Sequence, residues 1–141
     1  MEDRLERRFW FLALAQAAHS IEEMRAGLYD FFWIATGRLH EVLPAFSQMR
    51  MTPATFAVLN MGFIALLFGS VPFVRDRRWP AIALAWVAAV VEVLNGTGHL
   101  AGTVIFSGYV PGALTAPFLL LTGILLIREL RKDVRKTEEP T

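Results

Sequence analysis

Residues 9–29 read FWFLALAQAAHSIEEMRAGLY, an apolar run of membrane-helix length that contains the polar sequence His19–Glu23. A second apolar run holds Glu92, Asn95 and His99. A charged side chain at the centre of a bilayer costs roughly 2.5 to 3.5 kcal/mol, so three carboxylates there cost about 8 to 10 kcal/mol unless a metal, a proton or a polar ligand compensates them. These two polar sequences are therefore the predicted functional site.

The composition favours an integral membrane protein, because 55% of the 141 residues are hydrophobic and only 19% are charged. The net charge is +1 and the basic residues gather at the two ends and in one loop, so the sequence predicts no nucleic-acid partner. The chain has no cysteine, which leaves nitrogen and oxygen as ligands for any metal.

Four apolar stretches each approach the roughly 20 residues that a helix needs to cross a bilayer. They are residues 9–29, 53–74, 80–101 and 110–127. The predicted fold is all-α, a four-helix transmembrane bundle that forms one membrane domain over residues 1–141. Residues 128–141 are predicted to be a charged cytoplasmic tail. Prolines near the starts of the last three stretches agree with helix N-termini.

The basic residues also predict the orientation of the chain, because short cytoplasmic loops carry an excess of Lys and Arg. Eleven of them lie at the N-terminus, in the turn near residue 76 and at the C-terminus. Only Arg25, Arg38 and Arg50 lie on the other side. Both termini are therefore predicted to be cytoplasmic.

Residues 30–52 are predicted to form an amphipathic interfacial segment between the first and second helices. Leu39, Val42 and Phe46 follow helical spacing, and polar residues lie between them. This segment is interpreted either as a cover over a lipid-access portal or as a plain connector at the outer surface.

At about 100° per residue, His19, Glu22 and Glu23 fall on one helix face, as do Glu92, Asn95 and His99. Both faces lie near the predicted midplane of the bilayer and are expected to converge on one buried site. The expected metal ligands are His19, Glu22, Glu23, Glu92 and His99. The first four of these are also the expected catalytic residues, and the side chains expected to orient the ligands are Gln16, Asn60, Asn95 and Thr115.

Two histidines and three carboxylates match the ligand types of zinc, iron or manganese sites. The sequence therefore predicts a divalent metal and chemistry on a membrane lipid or lipophilic small molecule, by an oxidoreductase or a hydrolase. Three alternatives stay open: a metal-free acid-base lipid isomerase or cyclase, a small proton- or ion-coupled carrier, and a polar cluster that only holds helices together. Gly62 and Gly69, about two turns apart, are compatible with a homo-oligomer.

The chain also resembles the HXXEE family of small membrane proteins. The resemblance rests on HSIEE at His19–Glu23, then on Glu92, Asn95-Gly96 and Gly98-His99, and on YVPGALTAP from Tyr109. It covers roughly half of the chain. The family has no established activity, so the resemblance implies only that the motif residues and their partners in the second block form the site.

Overall fold

The computed structural model describes residues 3–138, in which five α-helices and no β-strand are found. The helices are α1 (Arg4–Ala26), α2 (Leu28–Val42), α3 (Pro53–Arg75), α4 (Trp79–Ile105) and α5 (Ala116–Glu138).

A single glycine separates α1 from α2, so the first helix ends before the predicted residue 29. Gly27 has φ 73°, a left-handed conformation that glycine adopts without steric cost, and its N–H bonds to the carbonyl of Glu23. At the other end of α1, the Asp3 side chain accepts a hydrogen bond from the N–H of Leu5 at 3.0 Å. α1 is thus bounded by a capping carboxylate and a glycine.

The predicted interfacial segment, residues 30–52, divides into α2 and a connection that is not helical. That connection folds back along α2. Gln48 Nε2 donates to the Trp33 carbonyl at 3.0 Å, and the Met49 N–H donates to Thr36 Oγ1 at 3.1 Å. The placement of this segment at a membrane surface stays a prediction.

One half of the structure is a hydrophobic core. α1 packs against α3 and α5, and α5 packs against α4. The core is built from the N-terminal halves of α1 and α4 and the C-terminal halves of α3 and α5, with Phe9, Leu67, Val74, Ala85 and Leu126 among its members. All five of these side chains are 0% exposed. The opposite half of the structure holds the polar residues of the predicted site.

An ion-pair cluster ties together three parts of the chain at the core end. Arg77, in the turn between α3 and α4, donates to the two Asp3 oxygens at 2.8 and 3.2 Å. It also pairs with Asp133 of α5 at 3.1 Å. The start of the described chain, the α3–α4 turn and the C-terminal half of α5 therefore lie on one side of the protein.

The prediction of a four-helix transmembrane bundle is wrong, because only two of the five helices are long and apolar enough to cross a membrane. Among the described residues these are α3 and α4, judged by length and composition. Only 22% and 33% of their apolar windows are buried, whereas the core helix of a soluble protein is mostly buried.

Charges at their ends exclude α1 and α5 as spans. In α1 the uncharged run between Arg8 and Glu22 has 13 residues, and in α5 the run before Arg128 has 12. Any stretch of membrane-helix length in α1 or α5 therefore includes several charged residues, whereas α3 has only Arg75 and α4 only Glu92. Counting apolar letters gave residues 9–29 a span's length only because the charged motif was included, and gave residues 110–127 that length because the non-helical residues 110–115 were included.

The last helix also begins later than predicted. Residues 106–115 form a connection that is not helical, so Pro111 precedes α5 instead of starting it. α5 then continues through most of the predicted tail to Glu138. Residues 139–141 of that tail lie outside the described part of the chain.

Candidate functional site

The polar residues of the predicted site lie at the end of the structure opposite the core. The C-terminal half of α1 supplies the motif, the C-terminal half of α4 supplies its partners, and the 106–115 connection covers them. His19 and Glu92 are 0% and 1% exposed, so the site is enclosed by protein.

Three side chains form a cluster with the geometry of a metal site. His19 Nε2 lies 3.1 Å from Glu23 Oε1, and His99 Nε2 lies 3.1 Å from the same oxygen. One ligand atom from each residue lies within 4.8 Å of the other two, and all three residues are buried. The i, i+4 spacing in α1 places His19 above Glu23 on one face, and α4 brings His99 to them across 76 residues.

The hydrogen bonds of Thr115 determine which nitrogen of His19 faces Glu23. The Thr115 hydroxyl donates to Glu22 Oε2 at 2.6 Å, so it accepts at its other contact, 2.7 Å from His19 Nδ1. The ring proton of neutral His19 is therefore on Nδ1. Its Nε2 has no hydrogen-bond partner although it is buried. In this tautomer a lone pair and a carboxylate oxygen face each other at 3.1 Å, and either a proton or a metal ion between them removes the repulsion.

The two His–Glu distances fit a metal, and the three ligand atoms lie within 4.8 Å of one another. Two ligands that each bind an ion at about 2.1 Å lie about 3.0 to 3.4 Å apart for angles from square to tetrahedral. Both His–Glu separations, at 3.1 Å, lie in that range. Two histidines and one carboxylate make the donor set of catalytic zinc sites and of non-haem iron sites, which leave further positions open.

Gly112 packs against both histidine rings. Its φ is +97°, and a Cβ added there would lie 2.7 Å from His99 Cε1 and 2.8 Å from His19 Cε1. The two rings, 4.7 Å apart and nearly perpendicular, therefore leave room only for glycine at this position. Sequence reasoning assigned no role to Gly112, whose signal was its place in YVPGALTAP from Tyr109.

The structure gives Glu22 a different position from Glu23, although the two are adjacent. Its Oε1 accepts from Tyr109 Oη at 2.7 Å and from the N–H groups of Gly112 and Leu114 at 3.1 and 3.0 Å. Its Oε2 accepts from the N–H and the hydroxyl of Thr115 at 2.8 and 2.6 Å. Five donors next to the N-terminus of α5 are thus bound by one carboxylate.

These contacts control the ionisation of Glu22 and Tyr109. Partial burial raises the pKa of Glu22, but hydrogen bonds from Thr115, Tyr109 and the Leu114 backbone outweigh it and lower the pKa to about 2. Burial and the hydrogen bond to Glu22 raise the pKa of Tyr109 above its usual value. Glu22 is therefore an ionised carboxylate that fixes the 106–115 connection to α1.

Glu92 lies beside the metal-type cluster but is not one of its three members. Asn95 Nδ2 donates to Glu92 Oε2 at a long 3.4 Å. With its amide nitrogen toward Glu92, Gln16 donates to both carboxylate oxygens at 3.2 and 3.0 Å, and its oxygen lies 3.1 Å from Ser20 Oγ. The Ser20 hydroxyl also lies 2.7 Å from Asn60 Oδ1, so this network reaches α3.

A cavity of about 620 Å³ opens beside the cluster, between α2, α3 and α4. Its polar lining includes Glu23, Glu92, Asn95 and His99, and most of the remaining lining is apolar. This volume lies within the roughly 300 to 1,000 Å³ of small-molecule sites. A mostly apolar cavity therefore lies next to the His/Glu cluster and has room for a small ligand.

All nine predicted site residues lie at this end of the structure, in three adjoining groups. His19, Glu23 and His99 form the cluster. Gln16, Asn60, Asn95 and Glu92 form the adjacent network, while Glu22 and Thr115 bind the connection. Sequence reasoning missed Ser20, whose signal was a polar residue on the buried face of α1.

The family comparison agrees with these residues. A model of the family described as "Protein of unknown function with HXXEE motif" matches residues 10–127, so the chain belongs to the HXXEE family. His19, Glu22 and Glu23 supply the motif's lettered positions. No curated protein and no solved structure matches the chain.

Proposed function

We propose that this protein binds one divalent metal ion through His19, Glu23 and His99 and uses it on a lipophilic molecule. The observation that carries the proposal is the buried, unpartnered Nε2 of His19, which lies 3.1 Å from Glu23 Oε1. A buried lone pair beside a carboxylate is costly without a cation. The ion is zinc, iron or manganese, since the donors are nitrogen and oxygen.

The donor set leaves positions on the ion for water or substrate. Two histidines and one carboxylate support either hydrolysis at zinc or oxidation at iron, which makes the protein a metal-dependent hydrolase or oxidoreductase. Thr115 fixes the ring of His19 through Nδ1, as the partners of metal-bound histidines commonly do. Glu92, Gln16 and Asn95 lie close enough to orient ligands or substrate from the cavity side.

The cavity supports access from a membrane. It lies between α3 and α4, the two helices able to span one, and its lining includes the exposed residues Val91, Leu94 and Ile105. A molecule dissolved in the hydrocarbon layer reaches the cluster by this route without crossing water.

We also propose that both termini are cytoplasmic. Arg77 joins the α3–α4 turn to Asp3 and Asp133, so the basic turn, the start of α1 and the C-terminal half of α5 share one side. Single cysteines in this cysteine-free chain test the orientation. An impermeant maleimide should label Ser107→Cys on intact cells and Asp76→Cys only after lysis; the reverse pattern would reject the orientation.

Elemental analysis of the purified, untagged protein tests the metal. We expect about one ion per chain in the wild type, and loss of that ion in His19→Ala and in His99→Ala. The matched control is His40→Ala, because His40 is exposed and contacts the Phe46 carbonyl far from the cluster. A folded wild type that takes up no zinc, iron or manganese would reject the proposal and favour a metal-free site in which His19 and Glu23 share a proton.

A further inference from the structure

We infer that the cavity between α3 and α4 binds an amphipath with one apolar chain and a hydroxyl head, which bonds to Glu92 and Asn95. This inference rests on the proposed function for the metal beside the head group. It adds the chemical class of the ligand and a binding role for Glu92.

The walls of the cavity suit an apolar chain. Phenylalanines from three directions line it: Phe31 and Phe32 of α2, Phe56 and Phe63 of α3, and Phe106 after α4. Phe31 and Phe106 also pack edge to face, with ring centroids 4.9 Å apart, so α2 is held over the cavity. Aromatic and aliphatic walls favour a hydrocarbon chain over a polar solute.

Besides the cluster residues Glu23 and His99, the polar side of the cavity carries Gln16, Asn60, Glu92 and Asn95, and the last two place an acceptor beside a donor. Glu92, only 1% exposed, presents carboxylate oxygens, which accept hydrogen bonds. The Asn95 amide lies 3.4 Å from Glu92 Oε2, a long contact that leaves its N–H groups able to donate elsewhere. A hydroxyl group both donates and accepts, so it complements this pair.

Charge balance selects a neutral head group. A divalent ion bound to Glu23 keeps one excess positive charge, and the Glu92 carboxylate next to it balances that charge. With those two charges balanced, a charged head of either sign would leave one uncompensated charge in the low dielectric of the site, whereas a hydroxyl head leaves none.

Gly98 offers a way to block the cavity without disturbing the metal cluster. It lines the cavity, and a Cβ added there meets no atom within 4 Å. Gly98→Leu therefore fills space that the ligand would occupy. Thr97→Leu is the matched control, because it adds the same side chain one residue away on an exposed part of α4. Ala35→Leu blocks the cavity from α2 and replaces Gly98→Leu if that variant does not fold.

The experiment measures the thermal unfolding midpoint of the detergent-solubilised, metal-loaded protein with dodecanol, dodecylamine or dodecanoate at equal mole fraction. We expect dodecanol to raise the midpoint of wild type and of Thr97→Leu by several degrees, and the two charged amphipaths to raise it less. Gly98→Leu should abolish the dodecanol shift. In Glu92→Gln the midpoint shifts with dodecanol and dodecanoate should become more similar, because the negative charge of Glu92 beside the head group is gone.

Three results would overturn the inference: no shift with dodecanol, an equal shift in Gly98→Leu, or a larger shift with either charged amphipath. Metal content measured on the same samples separates this inference from the proposed function. A protein that holds metal but shows no dodecanol shift overturns only the ligand assignment. A cavity-dependent shift in a protein that binds no metal overturns the metal site and leaves the binding of an alcohol in place.

Discussion

Glu22 and Thr115 are joined by two hydrogen bonds, of 2.8 and 2.6 Å, across 93 residues of chain. The same Thr115 hydroxyl lies 2.7 Å from His19 Nδ1. One carboxylate of the motif therefore holds the connection that orients the first histidine, while the neighbouring carboxylate, Glu23, faces both histidines.

Glu22→Gln should destabilise the fold. The amide keeps one acceptor oxygen but places an NH₂ group among five donors, so several hydrogen bonds to a charged group are lost. We expect a loss of about 2 kcal/mol in the free energy of unfolding. Thermal or denaturant unfolding measures it, and Glu41→Gln is the control, because Glu41 is exposed and its substitution should change the stability by less than about 0.5 kcal/mol.

The pH dependence of the stability difference between wild type and Glu22→Gln tests whether the ionised Glu22 carboxylate causes it. The pKa of Glu22 is lowered from 4.5 to about 2, so the unfolded state takes up a proton first as the pH falls. The stabilisation by Glu22 is complete above pH 4.5 and is lost as the pH approaches 2. The stability gap between wild type and Glu22→Gln should therefore narrow across this interval. A gap that stays constant down to pH 2 would show that ionised Glu22 is not its source.

Gly112→Ala should weaken metal binding. The added methyl group would lie within 2.8 Å of both imidazole rings, and the backbone φ of +97° disfavours any side chain. We expect at least a tenfold loss of affinity together with destabilisation of about 1 to 3 kcal/mol. Gly108→Ala is the control, since its nearest contact would be the Phe106 carbonyl at 3.8 Å. Unchanged metal affinity in Gly112→Ala would contradict the packing of Gly112 on the two ligand rings.

Thr115→Val should also lower metal affinity, because the methyl group cannot accept a proton from His19 Nδ1 or donate to Glu22. We expect a loss of about 10- to 100-fold, measured by competition with a chelator. Thr115→Ser keeps the hydroxyl and should bind metal nearly as the wild type does. Equal losses in the two variants would mean that Thr115 acts through packing and not through its hydroxyl.

Part of the site could be predicted from the sequence because helical periodicity is local. His19 and Glu23 are one turn apart in α1, and Glu92, Asn95 and His99 share a face of α4. The position of Glu22 could not be predicted in this way. Its five donors come from the 106–115 connection, whose path depends on how α1, α4 and α5 pack.

The number of spans was mispredicted for a different reason. The apolar letters of residues 9–29 were counted without weighing Glu22, Glu23 and Arg25, whereas α3 has no charged residue from Pro53 to Val74. Residues 110–127 reached a span's length only through residues 110–115, which are not helical. The break at Gly27 did have a sequence signal, since glycine commonly ends helices, but the apolar residues on both sides obscured it.

Titration of the chelator-stripped protein with Co²⁺, followed by the visible absorption of the bound ion, tests the central claim most directly. The variants to compare are Glu23→Gln and Glu22→Gln, which make the same change at adjacent positions. We predict one ion per chain in wild type and Glu22→Gln, with affinity lowered in Glu22→Gln only through Thr115, and binding at least about 100-fold weaker in Glu23→Gln, where a ligand is lost. Binding that survives in Glu23→Gln and disappears in Glu22→Gln would contradict the assignment of His19, Glu23 and His99 as the metal site.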